Sequence, residues 1–355
     1  MYLSTVDNLL HIGIAQAPIT PPAGFTISGP EFSDHPSIGT DDDLFVRCIT
    51  LTSYAETAAF VSLDTWGISV ILRNRIAAAV SNALDIPNER VMVTCTGNGT
   101  SPPIWRDEDN LPGEYSNYIA FLPDIVAGTA LEAAFSVQPA AIGTAETSAP
   151  NLSCFADTPQ EEQLETEREK LRIAAFHDAD GQIICLLYNF ACPATVIGNP
   201  DRWTSDYPGI ASAALEQAGI ECAAFVQGAS EDVRPYDWWD GNTDISHAER
   251  TSTDAQALGL LLATQAIRAA PSIVSRRNAP VKAATSDDGT ASALRVGDTV
   301  IVSTNQSRLV QFAVDLREAL PDVKLLIATN YVTSTCADTD DPFDEVIGLV
   351  KRTIA

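Results

Sequence analysis

Basic residues and histidine are scarce in this chain. Only 21 Lys and Arg stand against 47 Asp and Glu, a formal net charge of −26, and 355 residues include four histidines. Phosphate groups are bound by Lys/Arg neutralisation, so neither nucleic acid nor an anionic membrane is an expected partner. No apolar run reaches the roughly 18 residues of a membrane span. The first residues, MYLSTVDNLLHIGIAQAP, lack the basic start and long apolar stretch of a secretory signal, so a cytoplasmic location is expected. The seven cysteines (48, 95, 154, 185, 192, 222 and 336) are scattered and odd in number. They form no C-x-x-C pair or Cys/His cluster, and they read as buried cytosolic thiols. A P-loop, a dinucleotide fingerprint and a G-x-S-x-G elbow are also missing.

What is present is enough apolar residue, 45%, to bury a large core. Period-2 apolar runs predict strands at 10–15, 44–52, 57–63, 91–95, 171–177, 182–190, 222–227, 299–303 and 323–329. Helical spacing predicts helices at 69–83, 115–135, 207–218, 248–269, 307–320 and 343–353. The run 169–190 reads as a hairpin around Asp178-Ala179-Asp180-Gly181. Strands alternating with helices point to one α/β domain over 1–355, with a mostly parallel or mixed sheet and helices on both faces. The polar, acidic stretch 147–165 is expected to be a mobile loop. No internal repeat is visible.

Several segments share one framework. They are HIGIAQAPITPPAG near the start, DDDLFVRCITL with Arg47, FVSLDTWGI with Asp64, VMVTCTGNGTSP at 91–102, NFACPATVIG at 189–198, SDYPGIASAALE, FVQGASEDVRP at 225–235, and LRVGDTVIVST. The framework resembles the N-terminal catalytic domain of the neutral/alkaline non-lysosomal ceramidases, zinc amidases that cut the N-acyl bond of ceramide. The resemblance covers most of the chain, and no counterpart of the immunoglobulin-like domain that follows in larger ceramidases is expected within residues 1–355.

The match fails where that family does its chemistry. The family's His-x-His falls on Gly97 and Gly99, a further His on Pro193, and a glutamate ligand on about Ser307. A tyrosine falls on about Ser334, and the proposed nucleophilic serine on Arg234. Zinc needs three or four N, S or O donors converging at roughly 2.0–2.3 Å, which these residues do not supply. The resemblance thus implies the fold with neither metal nor cofactor. His11 and His247 read as surface or packing residues and His177 as a solvated turn residue. His35, near Asp34 and Asp41 to Asp43, is only a weak ion-site candidate.

Trp, Arg and carboxylates are concentrated on three loops that ring the pocket in the family. The first carries Asn98, Trp105, Arg106, Asp107 and Glu108; the second Arg202, Trp203 and Asp206; the third Gln227, Glu231, Asp232, Arg234, Trp238 and Trp239. Aromatic platforms with paired acids suit sugars, one acid and one base flanking the bond. On that reading Glu231 works with Asp107, Glu108 or Asp206. Asn98, Trp105, Arg106, Arg202, Trp203, Gln227, Asp232, Arg234, Trp238 and Trp239 bind the substrate. The expectation is a metal-independent hydrolase acting on a glycoside or similar small polar substrate. The alternative is a pseudoenzyme serving as a partner subunit or regulator in a homo- or hetero-oligomer, because Trp and Arg also dominate interfaces. Zinc amide hydrolysis returns only if the correspondence of positions is misplaced.

Overall fold

The computed structural model describes residues 8–29, 32–156, 160–198, 200–236, 251–287, 289–333 and 343–355. The chain begins with β1 (His11–Pro18), a hairpin of β2 (Thr26–Gly29) and β3 (Phe32–Pro36), β4 (Phe45–Ser53), β5 (Glu56–Leu63) and β6 (Gly67–Ser69). Helix α1 (Val70–Leu84), β7 (Val91–Cys95), α2 (Tyr115–Phe135) and β8 (Gln138–Pro139) follow. The middle third holds β9 (Ala141–Ser148), β10 (Ser153–Phe155), α3 (Glu162–Arg168), β11 (Lys170–His177) and β12 (Ile183–Phe190). It continues with α4 (Asp206–Gln217), β13 (Cys222–Gln227), β14 (Val233–Pro235) and α5 (Ser252–Ala269). The last part is β15 (Val281–Thr285), β16 (Ala291–Val296), β17 (Thr299–Thr304), α6 (Val310–Ala319), β18 (Lys324–Thr329), β19 (Tyr331–Thr333) and α7 (Phe343–Ile354).

A repeat that the letters hide is plain in this order. Three strands, a helix, a fourth strand and a second helix occur three times. The series are β1-β4-β5-α1-β7-α2, β9-β11-β12-α4-β13-α5 and β15-β16-β17-α6-β18-α7. Each unit builds one sheet with the same internal order: β7-β5-β4-β1, β13-β12-β11-β9 and β18-β17-β16-β15. The first three strands of each are antiparallel, and the fourth returns through a helix to lie parallel to the third. The sheets are therefore mixed, with one parallel pair in each. A parallel partner needs a crossover longer than a hairpin, and the helix supplies it.

Period-2 patterning places the sheets. Along β5, Ala58 and Phe60 join one core while Ala59, Val61 and Leu63 join another. The inward core takes residues from all three sheets, among them Ile49, Phe60, Leu187, Val226, Leu294 and Ile327's neighbours Leu326 and Ala328. The outward faces make three separate cores, each against its own helix pair: α1 and α2, α4 and α5, α6 and α7. Three sheets thus surround a shared interior and the helices clad the outside. Each large apolar side chain buried this way contributes about 1.5–3 kcal/mol.

Local signals set the helix ends. Ser69 caps α1 through the Leu72 amide, 3.2 Å away, and Thr251 with Asp254 forms a capping box on α5. Among the described residues α2 alone is long and apolar enough to cross a bilayer by length and composition. It lies packed on the first sheet, with Tyr115, Ile119, Leu122 and Val126 buried. The stretch 147–165, expected as a loop, holds the end of β9, all of β10 and the start of α3; 157–159 lie outside the described residues. Arg168 is buried there and donates to the Ser153 hydroxyl. Five of the six described cysteines are buried.

Candidate functional site

The carboxyl ends of the three parallel pairs meet at one end of the molecule. Asn330, just after β18, accepts from the Cys95 amide at the end of β7 (2.9 Å) and donates to Ser303 Oγ (2.6 Å). Asn189 on β12 grips β18 by donating to Ile327 O (3.0 Å) and accepting from Ile327 N (3.2 Å). The loops after β7 and β12 touch through a bridge between Asn98 and Ala194. Loops at such strand ends are where open α/β sheets bind ligands.

The loop after β7 is tightly made. Gly97 and Asn98 donate their amides to Thr65 O, and Gly99 donates to Ala194 O. Asn98 is fully buried; its amide nitrogen donates to Thr204 O (2.8 Å), Thr100 O (3.1 Å) and Asp64 O (3.4 Å), and its oxygen accepts from Thr100 N (3.0 Å). Asn98 is thus a staple between loops, with every hydrogen-bonding group spent. Gly97 sits at φ +70°, and a Cβ on it would lie 3.1 Å from Gln227 Oε1. A Cβ on Gly99 would lie 2.9 Å from Thr195 Cγ2.

These contacts bear on zinc, the metal of the family that the sequence resembles. Zinc does not fit here. At Gly97 and Gly99, the positions expected to match the two histidines, even an added Cβ would press on the Gln227 and Thr195 side chains at 3.1 and 2.9 Å. Among the described residues no group of three or more His, Cys, Asp or Glu side chains could hold a metal ion. What lies beside Gly97 and Gly99 is neutral: the Gln227 side chain for the first, the Thr195 side chain and Ala194 O for the second. Thr96 Oγ1, Thr195 Oγ1 and Gln227 Oε1 are buried and have no hydrogen-bond partner among the described residues. Gln227 spends its amide nitrogen on Ser230 Oγ at 2.5 Å. An unsatisfied buried polar group costs about 1–3 kcal/mol, so each of these two hydroxyls and the Gln227 carbonyl is a group that a polar occupant would satisfy.

Most side chains singled out in the sequence are engaged elsewhere. Arg106 forks onto Asp34 at 2.5 and 2.8 Å, reaches Ser28 Oγ at 2.8 Å and stacks on Trp105 at 4.8 Å. It pins the β2–β3 hairpin, and its guanidinium holds the Asp34 carboxyl below the usual range. Arg202 is spent on Asp41 Oδ1 (2.5 Å) and Thr40 O (2.9 Å). Trp203 is no stacking platform: it is fully buried in the core beneath α1 and α2. Glu108 pairs with Arg75 at 2.8 Å on the surface, and Asp107 precedes a short 3-10 turn. Asp232 accepts from the Val310 amide (3.0 Å) at the start of α6, and burial raises its pKa. Arg234 lies on β14, opposite Cys154 of β10. Trp238, Trp239, His247 and Ser334 lie outside the described residues. His177, expected on a solvated turn, is buried, and burial lowers its pKa.

Asp206 is buried at the start of α4, where its carboxylate accepts the Tyr207 amide (2.6 Å) and the Ile197 amide (3.1 Å). Burial, offset in part by those amides and reinforced by nearby Asp42, leaves its pKa raised to about 6. Asp42 is itself raised by burial and accepts from Ser205 N (2.6 Å) and Thr204 Oγ1 (2.7 Å). The pair closes the loop at 204–206; its second member was legible only as part of an acidic run.

Glu231 stands apart from both. It is exposed, its amide donates to Arg308 O (3.0 Å), and it opens onto a cleft of about 660 Å³. Asp315, Asp344, Phe312 and Phe343 line the same cleft, the two rings edge to face with centroids 6.1 Å apart. Nothing in the letters pairs these residues with Glu231, from which 81 or more positions separate them. The expected partner of Glu231 is one of Asp107, Glu108 or Asp206; Asp206 stands on a different loop and Asp107 and Glu108 on a third, and the described contacts join none of them to Glu231.

No family model and no curated protein matches the sequence. Solved structures do. The neutral ceramidase from Pseudomonas aeruginosa superposes with a TM-score of 0.74 at 14% identity, over 92% of this chain and 69% of that one. A ceramidase complexed with C2 gives 0.71 at 13% identity, over 91% and 68%. With that agreement in backbone and so little in sequence, this chain has the neutral ceramidase fold.

Proposed function

We propose that this ceramidase-fold chain recognises a small hydroxyl-rich molecule, of carbohydrate type, at its strand-end loops without zinc. The observation that carries the reading is that three neutral side chains of the strand-end loops, Thr96, Thr195 and Gln227, each hold a buried oxygen with no partner among the described residues, Gln227 beside Gly97 and Thr195 beside Gly99. Hydroxyl and amide groups discriminate strongly for a ligand that pairs with them, because a poor partner leaves them unsatisfied. A panel of sugars and polyols tested by thermal shift, with bound metal measured by elemental mass spectrometry, examines it. Stabilisation by a sugar that is lost in Gln227→Leu supports the proposal. Stoichiometric zinc, or no response to any polyol, overturns it.

A second reading adds turnover, and the Glu231 cleft favours it. There a carboxylate faces two aromatic rings and two further acids, Asp315 and Asp344, which is the equipment of metal-independent glycoside hydrolysis. Glu231→Gln abolishes turnover of a responsive glycoside if this holds. Ligand binding with no turnover in the wild-type chain leaves a non-catalytic pseudoenzyme.

A further inference from the structure

The seam between the second and third sheets holds a different kind of pocket, at the amino end of β18 and so away from the strand-end loops. It encloses about 390 Å³, within the range of small-molecule sites. Its floor is apolar, with Ile173, Leu320, Val323 and Leu326, and its rim carries Arg172, Arg317 and Lys324 with one acid, Glu146. In a chain of net charge −26, this grouping of cations is unusual.

The charges there are unevenly matched. Arg172 donates through both terminal nitrogens to Glu167 (2.9 and 2.6 Å) and pairs through Nε with Glu146 (2.8 Å), so it is fully committed. Arg317 shares the same Glu167 through Nε (2.9 Å) and donates Nη1 to Leu325 O (2.7 Å). Its Nη2 has no hydrogen bond to a described residue. Lys170 leans on Glu146 (2.7 Å) and Lys324 on Asp298 (2.9 Å). Four cations therefore share three carboxylates. Two guanidinium groups crowd one glutamate, and burial together with Arg172 lowers the pKa of Arg317. An added anion relieves that crowding, and the apolar floor accepts the rest of its body.

We propose that this seam is a binding site for a small amphipathic carboxylate, its head on Arg317 and Lys324 and its short apolar tail over Ile173, Val323 and Leu326. The site does not depend on the function proposed for the strand-end loops. Guanidinium and ammonium groups form the stronger, charge-assisted hydrogen bonds, which sets a carboxylate apart from an alcohol of equal length.

The test is calorimetric titration of the full chain at low salt with octanoate, octan-1-ol and acetate. Octanoate binding at least about tenfold tighter than either control is expected, one charged hydrogen bond being worth about that factor. Lys324→Glu, at a half-exposed position outside the buried network, weakens octanoate several-fold, and Arg317→Gln abolishes it. Because Arg317 also supports β18, its variant is first checked by thermal melting; if it unfolds, Lys324→Glu and the salt dependence of octanoate binding carry the test. Equal binding of octanol, octanoate affinity unchanged in Lys324→Glu, or no octanoate binding overturns the proposal.

Discussion

The loops after β7 and after β13 occupy equivalent places in the first two repeat units, yet one is closed and the other open. The first, Thr96–Ser101, is buried, neutral and held by Asn98 with its four hydrogen bonds. The second starts with buried Gln227 and then turns outward, so that Glu231 reaches an aromatic cleft. Where a strand end is buried, backbone satisfaction and steric fit decide which residues are allowed. Where it is exposed, charge is tolerated and chemistry is free to change.

The sharpest way to break the comparison is at Gly97. Gly97→His combines a positive φ with a clash on Gln227 and is expected to cost about 3–5 kcal/mol in denaturant unfolding. A stable variant that binds zinc would show that the loop can yield and that the position accepts a metal ligand. Asn98→Ala comes next, at on the order of 3 kcal/mol, because it strands three buried carbonyls. A loss under about 1 kcal/mol would mean that the two loops are not held by this side chain.

Asp206 sharpens the contrast through pH. Its folded pKa of about 6 lies above the ordinary 3.8, so between those values the native chain holds the proton more tightly than the unfolded one. Ionisation at pH 7 therefore costs stability, and acidification through pH 6 towards 4 restores it, by on the order of 3 kcal/mol for this group. Asp206→Asn should remove that component from the difference in unfolding free energy between pH 7 and pH 4.5. An unchanged pH profile would place Asp206 in a solvated setting.

Smaller effects belong to the surface. Arg106→Lys trades a two-pronged grip on Asp34 for a point charge; at partial exposure that costs roughly 0.5–1 kcal/mol and loosens the β2–β3 hairpin. Glu231→Gln should leave stability within about 0.5 kcal/mol, so any loss of turnover reports chemistry and not folding.

Much of the fold was readable from the letters. The strand at 91–95 and the helix at 115–135 were placed to the residue, because period-2 and period-3.6 apolar patterns record which face is buried. β9, β10 and α3 were not, because AIGTAETS loses its apolar alternation halfway, SCF is three residues long, and EQLETER has a single apolar side chain. The threefold order of elements leaves no trace in the letters because it is kept by burial pattern and connection, not by residue identity.

At the site the division is different. The letters showed that Gly97, Gly99, Pro193 and Ser307 are poor zinc ligands, since donor chemistry belongs to the residue itself. They could not show that Arg106 and Arg202 are spent on Asp34 and Asp41, or that Trp203 is core. Those partners lie 72 and 161 residues away, and only the folded chain brings them together. The sequence determined which atoms the protein has to offer. The tertiary structure decided which remain available, because hydrogen bonds and ion pairs form by distance in space.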